Sequence, residues 1–250
     1  MERRFEGKVC LVTGAGSGIG AAIAERLAAE GGNLFLLDKN VSGAEATVGR
    51  IKKAGGTAEA RALDVTDAPR VRSSFRIIAD DAGSLDVLIN VAGLSLLNDT
   101  RIVDITEETW DTVMAVNLRG PFVTCKYALP IMVQQGHGVI INMSSQAGFG
   151  GGTAYASSKA GLNALTRGIA RQHANDGIRA VTIAPGAVQT PMLEVSKKKL
   201  GEGIVAPRPG VVKPVGDVEE VATLAAFLAS DDAAYISGAI YTIDGGASGY

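Results

Sequence analysis

Ser144, Ser145, Tyr155 and Lys159 fall within one short stretch, SSQAGFGGGTAYASSK, of a chain that has only two histidines, His137 and His173. Tyr155 and Lys159 are spaced i and i+4, so a helix places them on one face. A free phenol titrates near ~10, and bringing it to about 7 requires roughly 4 kcal/mol of selective phenolate stabilisation. One ammonium at ~4–5 Å, in an effective dielectric near ~20, supplies roughly 3–4 kcal/mol. The pair is therefore a candidate proton-transfer unit that works without histidine. The serines end the apolar run VIINMSS, where a hydroxyl can steady the negative charge developing on a substrate oxygen.

Such groups need a rigid frame. Short apolar runs at Lys8–Gly14, Asn33–Asp38, Leu85–Asn90, Gly138–Ser144, Ile178–Gly186 and Ala239–Gly246 read as buried strands, with a weaker one at Ala58–Asp64. Helical stretches Ile19–Glu30, Ala44–Ala54, Thr106–Gln135, Ala154–Asn175 and Val218–Leu228 fall between them, the last with a capping box of Asp217 and Glu220. Strand alternating with helix about seven times predicts one α/β domain over residues 1–250. It is a Rossmann-like, doubly wound parallel sheet with helices on both faces. Pro191–Gly216 is the one irregular segment, long for a connection, and is expected to be a substrate-binding loop or lid. Ligands of such sheets bind at the carboxyl ends of the strands, where Ser144 and Ser145 lie.

The first turn, TGAGSGIG (Thr13–Gly20), follows the first strand and opens the first helix. Its backbone amides and the helix N-terminus favour a pyrophosphate, with glycine letting the backbone approach. Asp38 ends the second strand, where a carboxylate binds ribose hydroxyls and repels a 2′-phosphate. That predicts NAD(H) rather than NADP(H), with Lys39 beside it as the one contrary charge.

Composition sets limits. Hydrophobic residues are 46% and aromatics 5%, so the core is aliphatic, as buried parallel strands and alanine-rich helices require. A net charge of −2 leaves no basic footprint for nucleic acid. No apolar run approaches the roughly 18 residues that span a bilayer, and the charged start MERRFEGK is no signal peptide. Cys10 and Cys125 sit in apolar runs as core residues, which fits a reducing, cytoplasmic setting.

The pieces TGAGSGIG, Asp38, LDV (Leu63–Val65), NVAG (Asn90–Gly93), Asn117 in VNLRG, NMSS, YASSK, PGAVQT (Pro185–Thr190) and DGG (Asp244–Gly246) occur in that order. Together they resemble the short-chain dehydrogenase/reductase family over nearly the whole chain. The resemblance implies Tyr155 as general acid/base, with Lys159 lowering its pKa and holding the nicotinamide ribose. It implies Ser145 as the substrate-orienting hydroxyl and Asn117 as holder of a water linking Lys159 to solvent. Cofactor contacts would come from Gly14, Ser17, Gly18, Ile19 and Gly20, with Asp64 and Val65 at the adenine. Asn90, Ala92 and Gly93 would line the cofactor path, and Pro185, Gly186, Val188 and Thr190 the nicotinamide end.

Two departures stand out. Val91 replaces the usual second asparagine of NNAG, and Ser145 precedes Tyr155 by fewer residues than is common. Counting back further would select Asn142, inside the strand; aligning the strand end selects Ser145 and shortens the glycine loop after it. The implied reaction is hydride transfer between NAD(H) and a secondary alcohol or ketone. The alternatives are NADPH-dependent reduction of a 3-oxoacyl carrier protein and a non-catalytic dinucleotide sensor. A homotetramer is implied too, through the Thr106–Gln135 and Ala154–Asn175 helices and through the C-terminal strand.

Other residues carry blander expectations. Lys197–Lys199 reads as a solvated basic face, His137 and His173 as surface residues, and Asp80 and Asp81 as a solvated helix end rather than a metal site. Trp110 and Phe122 read as packing residues. Leu94, Leu96, Met192 and Leu193 are expected near the site as an apolar wall.

Overall fold

The computed structural model describes residues 3–150, 152–206 and 210–248. Seven strands, Val9–Thr13 (β1), Asn33–Asp38 (β2), Thr57–Ala62 (β3), Val87–Asn90 (β4), Gly138–Met143 (β5), Ile178–Pro185 (β6) and Ile240–Ile243 (β7), form one sheet in the order β3-β2-β1-β4-β5-β6-β7. Every pairing is parallel. The chain starts at the centre, winds outward to β3, returns to β4 and winds outward the other way. The expected doubly wound sheet is therefore present, with its switch point between β1 and β4.

Eight α-helices flank it: Gly18–Ala29 (α1), Val41–Lys53 (α2), Ala68–Ala82 (α3), Glu107–Met114 (α4), Gly120–Gln135 (α5), Ala154–Gln172 (α6), Pro191–Leu200 (α7) and Val218–Ala229 (α8). Side chains alternate across the strands, so Cys10 and Val12 of β1 face one layer and Val9 and Leu11 the other. The first layer packs Ile23 and Leu27 of α1 with Val221, Ala225 and Leu228 of α8. The second packs Phe75 and Ile78 of α3 with Val123 and Met132 of α5 and Ile169 of α6. Both cysteines are buried and unoxidised, and burial pushes the Cys125 thiol up to about 12.

Three segments differ from the sequence reading. The helix expected over Thr106–Gln135 is broken into α4, a π-helical turn at Ala115–Arg119, and α5. Pro121, one residue into α5, cannot donate to the carbonyl four residues back, which loosens the ladder there. Pro191–Gly216 is not irregular throughout, because it begins with α7. Thr190 caps that helix by accepting the Leu193 amide at 3.3 Å, and Pro191 fills the first position, where no donor is needed. Helix α3 was not picked out; its buried Val71, Phe75 and Ile78 follow the i, i+4, i+7 stripe. The capping box at Asp217 and Glu220 is formed.

Among the described residues no helix is long and apolar enough to cross a membrane, and no group of three acidic, histidine or cysteine residues could hold a metal. His137 pairs with Asp86 at 3.0 Å and His173 with Asp176 at 2.7 Å, both away from the carboxyl edge of the sheet. Asp81 pairs with Arg61 and Asp80 with Arg76.

Candidate active site

A cavity of about 1280 Å³ opens at the carboxyl edge, over the switch point. Gly14 leaves β1 with φ of +68°, and a Cβ on it would sit 2.7 Å from the Ala92 amide nitrogen. The turns after β1 and β4 thus touch through glycine, which no other residue permits. Gly20 does the same for the helix, since its Cβ would fall 2.2 Å from the Gly14 carbonyl oxygen. Ser17 begins α1 in extended geometry without a side-chain cap, so the first amides of the helix face the cavity. A glycine cradle against uncapped helix amides fits the pyrophosphate of a dinucleotide.

Asp38 ends β2 with both oxygens committed to backbone. It accepts the Gly16 amide at 2.8 Å and the Asn40 amide at 2.8 Å, which fixes the carboxylate at the cavity wall. Lys39, the contrary charge, reaches Asp64 at 3.1 Å instead. Hydrogen bonds from the Thr66 hydroxyl and amide, with Lys39 adding, hold the Asp64 carboxyl below its usual range.

The two serines at the end of β5 diverge. Ser144 is buried and donates to the Lys159 carbonyl at 3.1 Å. Ser145 lines the cavity, accepts the Ala147 amide at 3.2 Å and is hydrogen-bonded to the Tyr155 phenol. Asn142, the other candidate for that position, is fully buried and donates to Thr166 at 2.9 Å.

Lys159 is only 4% exposed. Its ammonium donates to the Met143 carbonyl at 2.9 Å and lies 5.6 Å from the centre of the Tyr155 ring. Burial lowers its pKa to about 8. Burial also pushes the Tyr155 phenol above its ordinary value, against the hydrogen bond from Ser145. The sequence reading had Lys159 bringing the phenol down; in the structure desolvation outweighs it for both groups. Met192, from α7, places its sulfur 4.0 Å from the phenol oxygen.

Of the residues predicted from the sequence, all but two line this cavity. The side chain of Asn90 instead accepts from Thr124 at 2.7 Å and donates to Asn142 at 2.9 Å, inside the buried layer under α5 and α6. Asn117 is buried in the π-helical turn, accepting the Leu94 amide at 2.8 Å and donating to the Leu94 carbonyl at 2.9 Å. Both asparagines hold backbone or core rather than facing the cavity. Leu94, Met192 and Leu193 form the expected apolar wall, whereas Leu96 stays outside it. Sequence reasoning missed Asp99 as an individual residue. It is 4% exposed, lines the cavity, and accepts the Ala154 and Tyr155 amides, each at 3.0 Å.

The likenesses to known proteins agree with this geometry. A family model described as enoyl-(acyl carrier protein) reductase matches residues 14–248. The 3-oxoacyl-(acyl-carrier-protein) reductase of Thermotoga maritima is 37% identical, over 97% of this chain and 98% of that protein. A probable short-chain type dehydrogenase/reductase of Bradyrhizobium diazoefficiens is 42% identical, over 97% of this chain and 88% of that one. The crystal structure of levodione reductase matches with a TM-score of 0.94 at 36% identity, covering 99% of this chain and all of the other. A glycine cradle, a carboxylate at the end of β2 and a Ser–Tyr–Lys wall in one cavity are what these relatives lead one to expect, and the chain belongs to the short-chain dehydrogenase/reductase family of oxidoreductases.

Proposed function

We propose that the chain moves a hydride between NAD(H) and a secondary alcohol or ketone, with Tyr155 as the proton-transfer group. The observation that carries this reading is the meeting of the Ser145 hydroxyl, the Tyr155 phenol and the Lys159 ammonium on the wall of the cavity that begins at Asp38. The bound nicotinamide supplies the hydride chemistry and, when oxidised, a second positive charge beside the phenol. Lys159 contributes about 3 kcal/mol towards the phenolate at 5.6 Å, for an effective dielectric near ~20. In oxidation Tyr155 takes the hydroxyl proton of the substrate, and in reduction it returns one to the carbonyl oxygen. Ser145 donates to the same oxygen and shares its developing charge. The side chain of Asn117 is occupied with Leu94, so a water link from Lys159 would rest on its main-chain carbonyl, which Pro121 cannot engage in the α-helical pattern.

Asp38, fixed by two amides with Lys39 drawn away to Asp64, supports NAD(H) over NADP(H). Paired fluorescence titrations with NADH and NADPH test this, and NADH is expected to bind at least tenfold tighter. Equal or tighter NADPH binding would bring forward reduction of a 3-oxoacyl carrier protein, the activity named for the Thermotoga maritima relative. Tyr155→Phe tests the chemistry. It is expected to lose at least 10²-fold in kcat, the lower range of general acid–base contributions, while still binding NADH. A variant turning over at the wild-type rate sinks the assignment, and a wild-type protein that binds NADH but turns over no alcohol or ketone points to a sensor.

Both halves of the sheet contribute to the one cavity, which supports a single domain over residues 1–250 with Met192 of α7 closing its substrate end. Exposed Phe122 and Val133 on α5, and Phe227 and Tyr235 around α8, are separate apolar patches that suit the two interfaces of a homotetramer. Light scattering that gives a monomer at micromolar concentration would remove that reading.

A further inference from the structure

We infer that Asp99 is a positioning residue for Tyr155, setting both the place of the phenol and the pH at which it works; this rests on the proton-transfer role proposed for Tyr155. Tyr155 is the second residue of α6, in the turn whose amides have no partner within the helix. A threonine stands at the N-cap, where its hydroxyl ordinarily accepts one of those amides. Thr153 does not do so here: its backbone sits at φ −96° and ψ −116°, and its hydroxyl donates to the Thr100 carbonyl. The capping falls to Asp99, from the loop after β4, whose two oxygens take the Ala154 and Tyr155 amides.

The loop is itself anchored. The Asp99 amide donates to the Leu96 carbonyl at 3.2 Å, and Asn98 donates to Thr109 at the start of α4 at 2.6 Å. Lys159 sits a turn deeper and is held separately by the Met143 carbonyl. The end of α6 that carries the phenol therefore depends on Asp99, while the end that carries the ammonium does not. Asp99 does not touch the reacting atoms; it acts through the backbone of Tyr155.

The charge matters as well as the geometry. The phenol is faced by Lys159 from its own helix and by the Asp99 carboxylate from the loop after β4. Ser145 from the end of β5 and Met192 from α7 are uncharged, and Arg101 on the same loop is turned to Asp104 at 2.7 Å. The carboxylate opposes phenolate formation, and the helix N-terminus it caps favours it. Removing the negative charge lowers the phenol pKa, so the acid limb of the rate profile moves to lower pH.

Asp99→Asn is the test, with the pH dependence of kcat measured in the alcohol-oxidising direction and NADH affinity measured alongside. The expected result is a plateau kcat reduced about tenfold by displacement of the phenol. The acid limb should shift down by roughly half a pH unit, with NADH affinity within about twofold of wild type, as a loop remote from the pyrophosphate turn implies. An unchanged profile, or a lower plateau with an unmoved limb, overturns the inference. Should Asp99→Asn fail to fold, Asp99→Ser keeps one acceptor, removes the charge and carries the same expectation. Tyr155→Phe run in parallel separates the two levels. If it is inactive while Asp99→Asn behaves as wild type, only the role of Asp99 fails; if it is active, the proton-transfer reading fails.

Discussion

Lys159 shows how a functional residue can work against stability. Its ammonium is 4% exposed and has one carbonyl partner among the hydrogen bonds described, and burial brings its pKa from 10.5 to about 8. A gap of that size corresponds to at most about 3 kcal/mol of destabilisation at neutral pH, by the conversion of pKa into free energy. The sign follows from proton counting. Between about 8 and 10.5 the folded chain gives up this proton while the unfolded chain keeps it, so this group makes the wild type more stable as pH rises through that window. Lys159→Met removes the charge and keeps a helix-favouring, apolar side chain. It is expected to be inactive yet to melt higher than wild type at pH 7, with the difference shrinking between pH 8 and pH 10. Thermal melts of the two proteins across that range check it. A variant that melts lower at pH 7 would mean that the bond to Met143 outweighs the desolvation.

At the scale of elements, the turn at Ala115–Arg119 places Asn117 where two backbone groups of Leu94 need a partner. Asn117→Ala leaves the Leu94 amide and carbonyl unpaired next to the cavity, at a cost of roughly 2–4 kcal/mol for two buried groups. Chemical denaturation should register that loss, and Asn117→Asp, which keeps an acceptor for the amide only, should fall between the two. The same turn marks where the sequence stops being readable. The glycine turn, the seven strands, the Asp217 box and the Tyr155–Lys159 pair all follow from spacings of a few residues, and each was visible in advance. Asn117 bonds a loop 23 residues away, Asn90 reaches Asn142 across the sheet, and Asp99 caps a helix that starts more than 50 residues later. Side-chain to backbone bonds over such separations leave no periodicity, so the resemblance named Asn90 and Asn117 but could not say which way they point. Helix α7 was missed for a different reason. Its lysines and flanking prolines read as loop, although Thr190 and Pro191 form an N-cap and first-position pair.

At the scale of the whole molecule, the sheet must keep its carboxyl edge fixed while the cavity is lined from strands on both sides of the switch point. Part of that rigidity comes from the N-terminal segment, which Arg4 ties to the end of α1. Glu30 is 1% exposed and accepts from Arg4 at 2.7 and 2.9 Å and from Arg26 at 2.5 Å, and Arg4 also reaches Asp232 beyond α8 at 3.4 Å. Although burial alone would raise the Glu30 carboxyl, its two arginines hold it below the ordinary value. A carboxyl depressed in the folded state contributes stability above its unfolded pKa, near ~4.3, and loses it as pH falls through the folded one. Asp86, held down by the Val9 amide and by Ser84, acts in the same direction where the turn after α5 meets β1 and β4. Glu30→Gln keeps the shape and one acceptor but strands two guanidiniums that retain some water, so it is expected to cost about 2–3 kcal/mol at pH 7, below the range for fully buried pairs. The variant and wild-type stability curves should converge as pH drops below about 4, because the wild type then loses the same charge. Denaturant titrations of both proteins from pH 3 to pH 7 read this directly. Curves that stay parallel to pH 3 would mean that Glu30 acts through packing alone, and would move the origin of acid sensitivity to Asp86.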